Sequence, residues 1–232
     1  APVQTDQRGL GYRNRGLIPL RRGEDGRLRM GYFRRGSHRI VNLSRCPVLD
    51  PRLDALVEPL KRDLDGSGLA ADHDLSQSQG LRHLGLRMGH HTGEVLITLV
   101  SSHPLPGLKR LAQQWIQRWD PVKGVTLNLQ PRRTNQILGS TTTVLAGDPT
   151  IREQFCGLEL QLSTTTFFQI NTPQAEAIVE CLVHWLHQAA QHGPIVDAYC
   201  GIGTISLPLA ARGHRVVGIE INPDSIEQAD LN

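Results

Sequence analysis

Asp197-Ala198-Tyr199-Cys200-Gly201-Ile202-Gly203-Thr204 follows an apolar run, Pro194-Ile195-Val196, and precedes a helical pattern over residues 205–211. A second apolar run, Val216-Val217-Gly218-Ile219, ends in Glu220. The order is strand, glycine turn, helix, strand, carboxylate, which is the opening half of a nucleotide-binding α/β unit. Gly201 and Gly203 carry no Cβ, so the backbone can turn sharply there and approach a ligand closely. Glu220 stands at the tip of the second strand, where a carboxylate can accept hydrogen bonds from two ribose hydroxyls. The chain closes at Asn232, and the unit reads as the truncated start of a larger one.

The turn alone leaves the cofactor open. An NAD site usually shows a third small residue, and that position holds Ser206, which is small enough to keep NAD in play. The acid ahead of the turn, Asp197, suits S-adenosylmethionine, whose ammonium needs acidic or carbonyl partners and which has no pyrophosphate. Upstream, Thr166-Phe167-Phe168-Gln169-Ile170-Asn171-Thr172-Pro173 leads into a helix. Thr172 reads as its N-cap and Pro173 as its first residue, with Ala175, Ile178, Val179, Leu182 and Leu186 as the buried stripe.

With F-F-Q-x-N before this helix and D-x-Y-C-G-x-G-T after it, the chain resembles the RNA uracil-5-methyltransferases. These are S-adenosylmethionine-dependent enzymes that make 5-methyluridine in ribosomal or transfer RNA. Tyr12-Arg13-Asn14-Arg15, Ser37-His38-Arg39-Ile40-Val41, Cys46-Pro47, Leu81-Arg82-His83-Leu84, Asn128 and Asn135 extend the resemblance over nearly the whole chain. It implies methylation of carbon 5 of a uridine in ribosomal or transfer RNA, with 23S ribosomal RNA favoured. In this family a cysteine thiolate adds to carbon 6 of the uracil, activating carbon 5 to take the methyl group, and a carboxylate base then removes the carbon 5 proton. Nucleophile and base lie beyond the second strand of the methyltransferase domain, past residue 232, so no catalytic residue is assigned. For the cofactor, the resemblance implies Gln169 at the methionine end, Tyr199 and Thr204 along the turn with Gly201 and Gly203, and Glu220 on the ribose. A helix-entry hydrogen bond is the competing role for Gln169. Thr204 stands where some relatives have Asn.

Charge is uneven. Residues 1–45 hold eleven arginines against Asp6, Glu24 and Asp25, a balance of +8 in a chain of net charge +3. Such a segment can contact phosphates, although Arg-rich solvated turns are also common. Arg13, Arg15, Arg34, Arg35 and Arg39 are the candidate RNA contacts. The four cysteines, Cys46, Cys156, Cys181 and Cys200, show no C-x-x-C pair, and a reducing cytoplasm is the simplest setting. The resemblance gives Cys46 as the fourth ligand of a [4Fe-4S] cluster in cluster-bearing members; the other three lie upstream of this chain. Cys181 is expected in the core, and Cys200 is expected to pack within the turn. His90 and His91 are adjacent, face opposite sides of a strand and share a metal poorly. No run nears the ~20 apolar residues of a membrane span.

The expected fold class is α/β: a central α+β domain over residues 1–163, then the truncated start of a Rossmann-like S-adenosylmethionine methyltransferase domain over 164–232. Strands are expected at 16–20, 27–34, 38–43, 81–88, 94–101, 122–129, 136–138 and 158–163, and helices at 50–64 and 105–119. Leu108, Leu111, Ala112, Trp115 and Trp119 form one face of the second helix. The half-built sheet should expose an unpaired edge. Two other functions compete: a non-catalytic RNA-binding module with a degenerate methyltransferase fold, and an NAD-dependent oxidoreductase. The protein is expected to be a cytoplasmic monomer in its full-length form.

Overall fold

A computed structural model describes residues 9–76, 78–189 and 193–232. The first half is a six-stranded sheet of β1 (Arg15–Arg22), β2 (Leu28–Met30), β3 (Leu81–Met88), β4 (Val95–Ser101), β5 (Val122–Leu129) and β6 (Thr141–Gly147), in the order β2-β1-β3-β4-β5-β6. All neighbours are antiparallel except β4 and β5, whose parallel pairing requires a crossover. Helix α2 (Leu108–Arg118) supplies it. Helix α1 (Pro51–Gly66) covers β2 and β3, burying Leu53, Leu56, Val57, Leu60 and Leu64 at helical spacing. Its Asp50 N-cap accepts from the Arg52 amide, and Pro51 costs no hydrogen bond at the helix start.

Every residue of β3 and β4 is buried, so both faces of the sheet are covered. One face packs Leu84, Leu86, Ile97 and Leu99 with α1 and α2. The other is partly polar: the hydroxyls of Thr98, Thr126 and Thr164 meet within 2.8 to 3.1 Å. Leu96 belongs to a second core with Ile151, Phe155, Leu160, Leu162, Phe168, Ala175, Val179, Val183, Ile202 and Leu209. That core joins the hairpin of β7 (Thr150–Phe155) and β8 (Leu158–Ser163) to α3 (Thr172–Gln188), so the hairpin packs with the C-terminal half of the chain. Beyond α3 come β9 (Ile195–Ala198), α4 (Ser206–Ala211), β10 (Val216–Ile219) and α5 (Pro223–Leu231), with β9 and β10 parallel. Val196, Val217 and Ile219 on this pair are exposed.

Several expected elements differ. Of 27–34 and 38–43, only Leu28–Met30 is a strand, and Ile40 makes an isolated bridge to Phe33. The chain turns back at Gly31, which passes so close to the Val41 carbonyl that a Cβ would lie 1.8 Å from it. Residues 136–138 are not a strand, because side chains satisfy their carbonyls: Gln130 donates to Gln136 and Leu138. Strands β6 and β7 were not expected. Helix α2 starts at Leu108, after Gly107 in the left-handed region (φ 84°), which resists continuing the helix back to 105. On its face, Leu108, Ala112 and Trp115 are buried, and the Trp115 indole donates to Asp63. The N-cap of α3 is Asn171, whose side chain accepts from the Gln174 amide, while Thr172 is the first helical residue and is buried. The helix buries the narrower stripe Ala175, Val179 and Val183, and Ile178 is 55% exposed.

Buried His83 on β3 gives a pH dependence. Burial, with Arg82 and His73 nearby, pushes its imidazole down to about 3. The unfolded chain binds that proton near pH 6.5, so the stability is complete above 6.5 and is lost as pH falls toward 3. At pH 5 the loss is about 2 kcal/mol. Urea unfolding at pH 7.5 and pH 5 should show it in the wild type and much less of it in His83→Gln; equal losses in both would remove His83 as the cause.

Candidate cofactor site

The parallel register Val216↔Ile195 to Ile219↔Ala198 brings the ends of β9 and β10 level. The chain leaves β9 through Tyr199, whose φ of 68° is in the left-handed region, and Gly201 (φ 56°) and Gly203 (φ 84°) follow. The amides of Tyr199 and Cys200 both donate to the Ile219 carbonyl, at 2.7 and 3.0 Å, locking the turn to β10. A Cβ on Gly203 would lie 2.7 Å from the Leu207 side chain, so α4 packs directly on that glycine. A Cβ on Gly201 would meet nothing within 4 Å. The turn therefore faces open space at Gly201, and Tyr199 is 87% exposed beside it. Thr204 is half-buried.

Glu220 closes the turn from the other strand. One carboxylate oxygen accepts from the Gly201 amide at 3.0 Å, and the other accepts from Ile221 and Asn222, both at 2.8 Å. The Asn222, Gly201 and Ile221 amides hold this carboxyl below its usual range. Three of roughly four acceptor positions are filled, leaving one for a ribose hydroxyl and a second by exchange with a backbone donor. Asp197, at the end of β9, accepts from Ser206 Oγ at 2.5 Å. Ser206, the third small residue of the turn pattern, thus ties the start of α4 to the acid. Cys200 is buried, and burial together with Asp197 and Glu220 raises its thiol, so it is protonated and packs rather than reacts. Cys181 is only half-buried, on the flank of α3.

Gln169 sits in the strap between β8 and α3, and strands of the first half grip this strap. Arg15 on β1 donates to the Thr164 carbonyl at 3.3 Å, and fully buried Arg87 on β3 donates to that of Thr166 at 2.5 Å. Asn14 donates through its side chain to the Gln169 carbonyl (2.9 Å) and Thr172 hydroxyl (3.0 Å), and through its amide to Ile170 (3.0 Å). Thr172 in turn donates to Glu153, which also accepts from the His90 and His91 amides at 2.6 and 3.0 Å. Phe168 is buried edge-on to Phe155, and Ile202 of the turn lies in the same core. That core brings the F-F-Q segment and the glycine turn together; the Gln169 side chain itself is exposed. A cleft of about 660 Å³ opens between Thr165 of the strap, the loop around Arg132 and Gly139, and Asn222 and Asp224 next to Glu220. The sequence reading missed it, since part of its wall, residues 136–138, was expected there as a strand.

The five arginines divide. Arg34, Arg35 and Arg39 are exposed on the turn after β2. Arg13 lies beside Val48 and Leu49, with a buried Nε that has no partner among the described residues, and Arg15 is committed to the strap. Cys46 is buried in the first core, and its amide donates to Asp54 at 2.6 Å. A [4Fe-4S] cluster takes four ligands, usually thiolates, and this chain offers one here, so its own residues do not fit that group. No helix among the described residues is long and apolar enough to cross a membrane.

No family model matches the chain. It is 86% identical over 232 residues to an uncharacterized RNA methyltransferase of Parasynechococcus marenigrum, and 43% identical over 233 residues to one of Nostoc sp.. The chain is covered in full in both cases and spans about half (50%) of the length of each relative. Among solved structures it is similar to the Pyrococcus abyssi tRNA (uracil-54, C5)-methyltransferase in complex with S-adenosyl-L-homocysteine. There the TM-score is 0.79 at 25% identity, covering 97% of this chain and 52% of that one.

Proposed function

Because the chain belongs to the RNA methyltransferases, we propose that the protein carrying it methylates carbon 5 of a uridine in RNA, using S-adenosylmethionine held at the Gly201–Glu220 turn. The observation that carries this reading is Glu220, fixed at the tip of β10 by three backbone amides while one acceptor position stays free. The cofactor fits what is present: the space beyond Gly201 is open, an acid stands where ribose hydroxyls need an acceptor, and Tyr199 projects beside it. S-adenosylmethionine supplies a methyl group on a sulfonium, which is electrophilic without further activation. This chain's residues bind and orient it. Glu220 accepts from the ribose, Gly201 and Gly203 let the backbone approach, Tyr199 and Thr204 flank it, and Gln169 stands at the methionine end. Asp197, already bonded to Ser206, keeps the turn in register with α4. Ribosomal RNA is favoured over transfer RNA as substrate, as the sequence resemblance implies.

The exposed Arg34, Arg35 and Arg39 are the phosphate contacts in this reading, with Arg132 at the cleft. Arg15 acts in it by setting the strap, while Arg13 packs beside Val48 and Leu49. The test supplies the whole protein with S-adenosylmethionine and unmodified ribosomal or transfer RNA, then digests the RNA to nucleosides for mass spectrometry. We expect 5-methyluridine. RNA binding without methylation would favour the non-catalytic module, and binding of NAD with no binding of S-adenosylhomocysteine would favour an oxidoreductase. In RNA binding titrations of the whole protein, replacing all three exposed arginines by alanine should flatten the slope of log affinity against log salt by about 2, roughly 0.7 per lost phosphate contact on a single strand.

A further inference from the structure

A second cavity, of about 500 Å³, lies where the turn after β2, the His73–Asp74 segment, β3 and the 130–140 loop converge. Its wall includes His73, Arg82, His83 and Arg133, and Phe33 and His38 stand at its mouth. Thr134 lines both this cavity and the cleft beside Asn222, so the two are neighbours across one loop.

Three observations mark it as built to receive a ligand. His73 and His83 are 5% and 6% exposed, yet both ring nitrogens of His73 and Nδ1 of His83 have no hydrogen-bond partner among the described residues. Buried polar atoms are rarely left this way, and three in one wall are costly unless something fills the space. Phe33 is 42% exposed, with its ring 4.9 Å from that of His73 and 5.9 Å from that of His38 and tilted 47° and 63° to them, so an exposed aromatic ring stands at the entrance. Exposed Arg34, Arg35 and Arg39 share the turn that carries Phe33 and His38.

A neutral imidazole offers one donor and one acceptor in the plane of its ring. Two of them line this cavity beside Phe33 with their unpartnered nitrogens covered, so a ring turns toward the space to bond a ligand, and the arginines outside are placed for phosphate. A planar heterocycle with mixed donors and acceptors on a phosphate chain matches all three. We propose that this pocket takes an unstacked nucleobase of the RNA, separate from the uridine that is methylated; this rests on the RNA reading above. Stacking on Phe33 holds the base, and the imidazoles of His73 and His83 read its edge. A divalent metal at Asp72, His73 and Asp74, whose ligand atoms lie within 4.8 Å of one another, is the competing occupant. The carboxylates are already engaged: Asp72 accepts from Ser76 and Ser78, and Asp74 accepts from the Ser76 amide.

The test follows the histidine ring signals of the whole protein by NMR, assigned with His73→Gln and His83→Gln. Each of the four nucleoside 5′-monophosphates is added, then a 12-nucleotide single-stranded RNA. The expected result is that the His73 and His83 signals shift with at least one mononucleotide, that the RNA binds at least tenfold more tightly, and that Phe33→Ala weakens both roughly tenfold while Phe33→Tyr restores them. Phe33 is partly exposed, so the alanine variant should fold. No shift with any mononucleotide at about 10 mM overturns the proposal. A mononucleotide that binds as tightly as the RNA marks a free-nucleotide site, and zinc shifting these signals where nucleotides do not marks a metal site; either overturns it. S-adenosylhomocysteine titrated into the same sample reports on the cofactor site alone, so failure of the methyltransferase reading is seen separately.

Discussion

Replacing Glu220 by alanine should weaken S-adenosylhomocysteine binding to the whole protein roughly 100-fold, the scale of losing charge-assisted hydrogen bonds to a ligand hydroxyl. Two effects combine. The ribose loses its anionic acceptor, and the amides of Gly201, Ile221 and Asn222 lose the group that holds them in one arrangement. Glu220→Gln separates the two, because it keeps one oxygen as an acceptor while removing the charge; its loss should be smaller. The amides at this edge can turn to water, so thermal unfolding of the ligand-free protein should move little. Isothermal titration calorimetry decides the matter. A change of less than about threefold in Glu220→Ala would remove the residue from the cofactor site.

Glu153→Ala should be the most damaging single change to stability, at about 3–5 kcal/mol. The residue is 0% exposed and faces inward from the middle of β7. Its carboxylate accepts from two backbone amides, of His90 and His91, and from the Thr172 hydroxyl. Truncation leaves the buried Thr172 hydroxyl and the part-buried His90 and His91 amides with no acceptor and opens a void in a packed wall. Midpoint temperature should fall by about 10 °C or more, given roughly 2–4 °C per kcal/mol at this size. Glu153→Gln keeps the shape and one acceptor atom and should lie between. Chemical denaturation is the measurement, and a loss under about 1 kcal/mol would mean that water replaces the carboxylate.

Glu153 also shows why part of the fold escaped the sequence. Ile151, Glu153 and Phe155 share the buried face of β7, and a charged residue at the centre of that alternation breaks the pattern by which a strand is recognised. The run Thr141-Thr142-Thr143 in β6 has strand propensity and no alternation, since that strand lies at the sheet edge and is largely exposed. By contrast α1, β3, β4, β5 and the β9–α4–β10 unit were legible, because each pairs a clean apolar period with a capping or glycine signal at its end. The same holds at the site. Gly201, Gly203 and Glu220 announce themselves by residue type and spacing. That Ser206 holds Asp197, or that Asn14 reaches Gln169 across the chain, depends on a tertiary arrangement no local pattern encodes. The pocket at His73 and His83 escaped for a related reason: its lining comes from four separated segments, and only packing reveals that two imidazoles lack partners.

The strap between β8 and α3 is held by side chains from elsewhere in the chain, with Arg15, Arg87 and Asn14 spent on carbonyls of Thr164, Thr166 and Gln169. The two halves are therefore not interchangeable modules, although the sequence pattern changes character at that point. A chimera that joins this first half to another protein's cofactor half would inherit buried cations aimed at a backbone path they no longer match. Divergence on either side of the strap is constrained by the other, and the segment that presents Gln169 is inherited together with β1 and β3 as one unit.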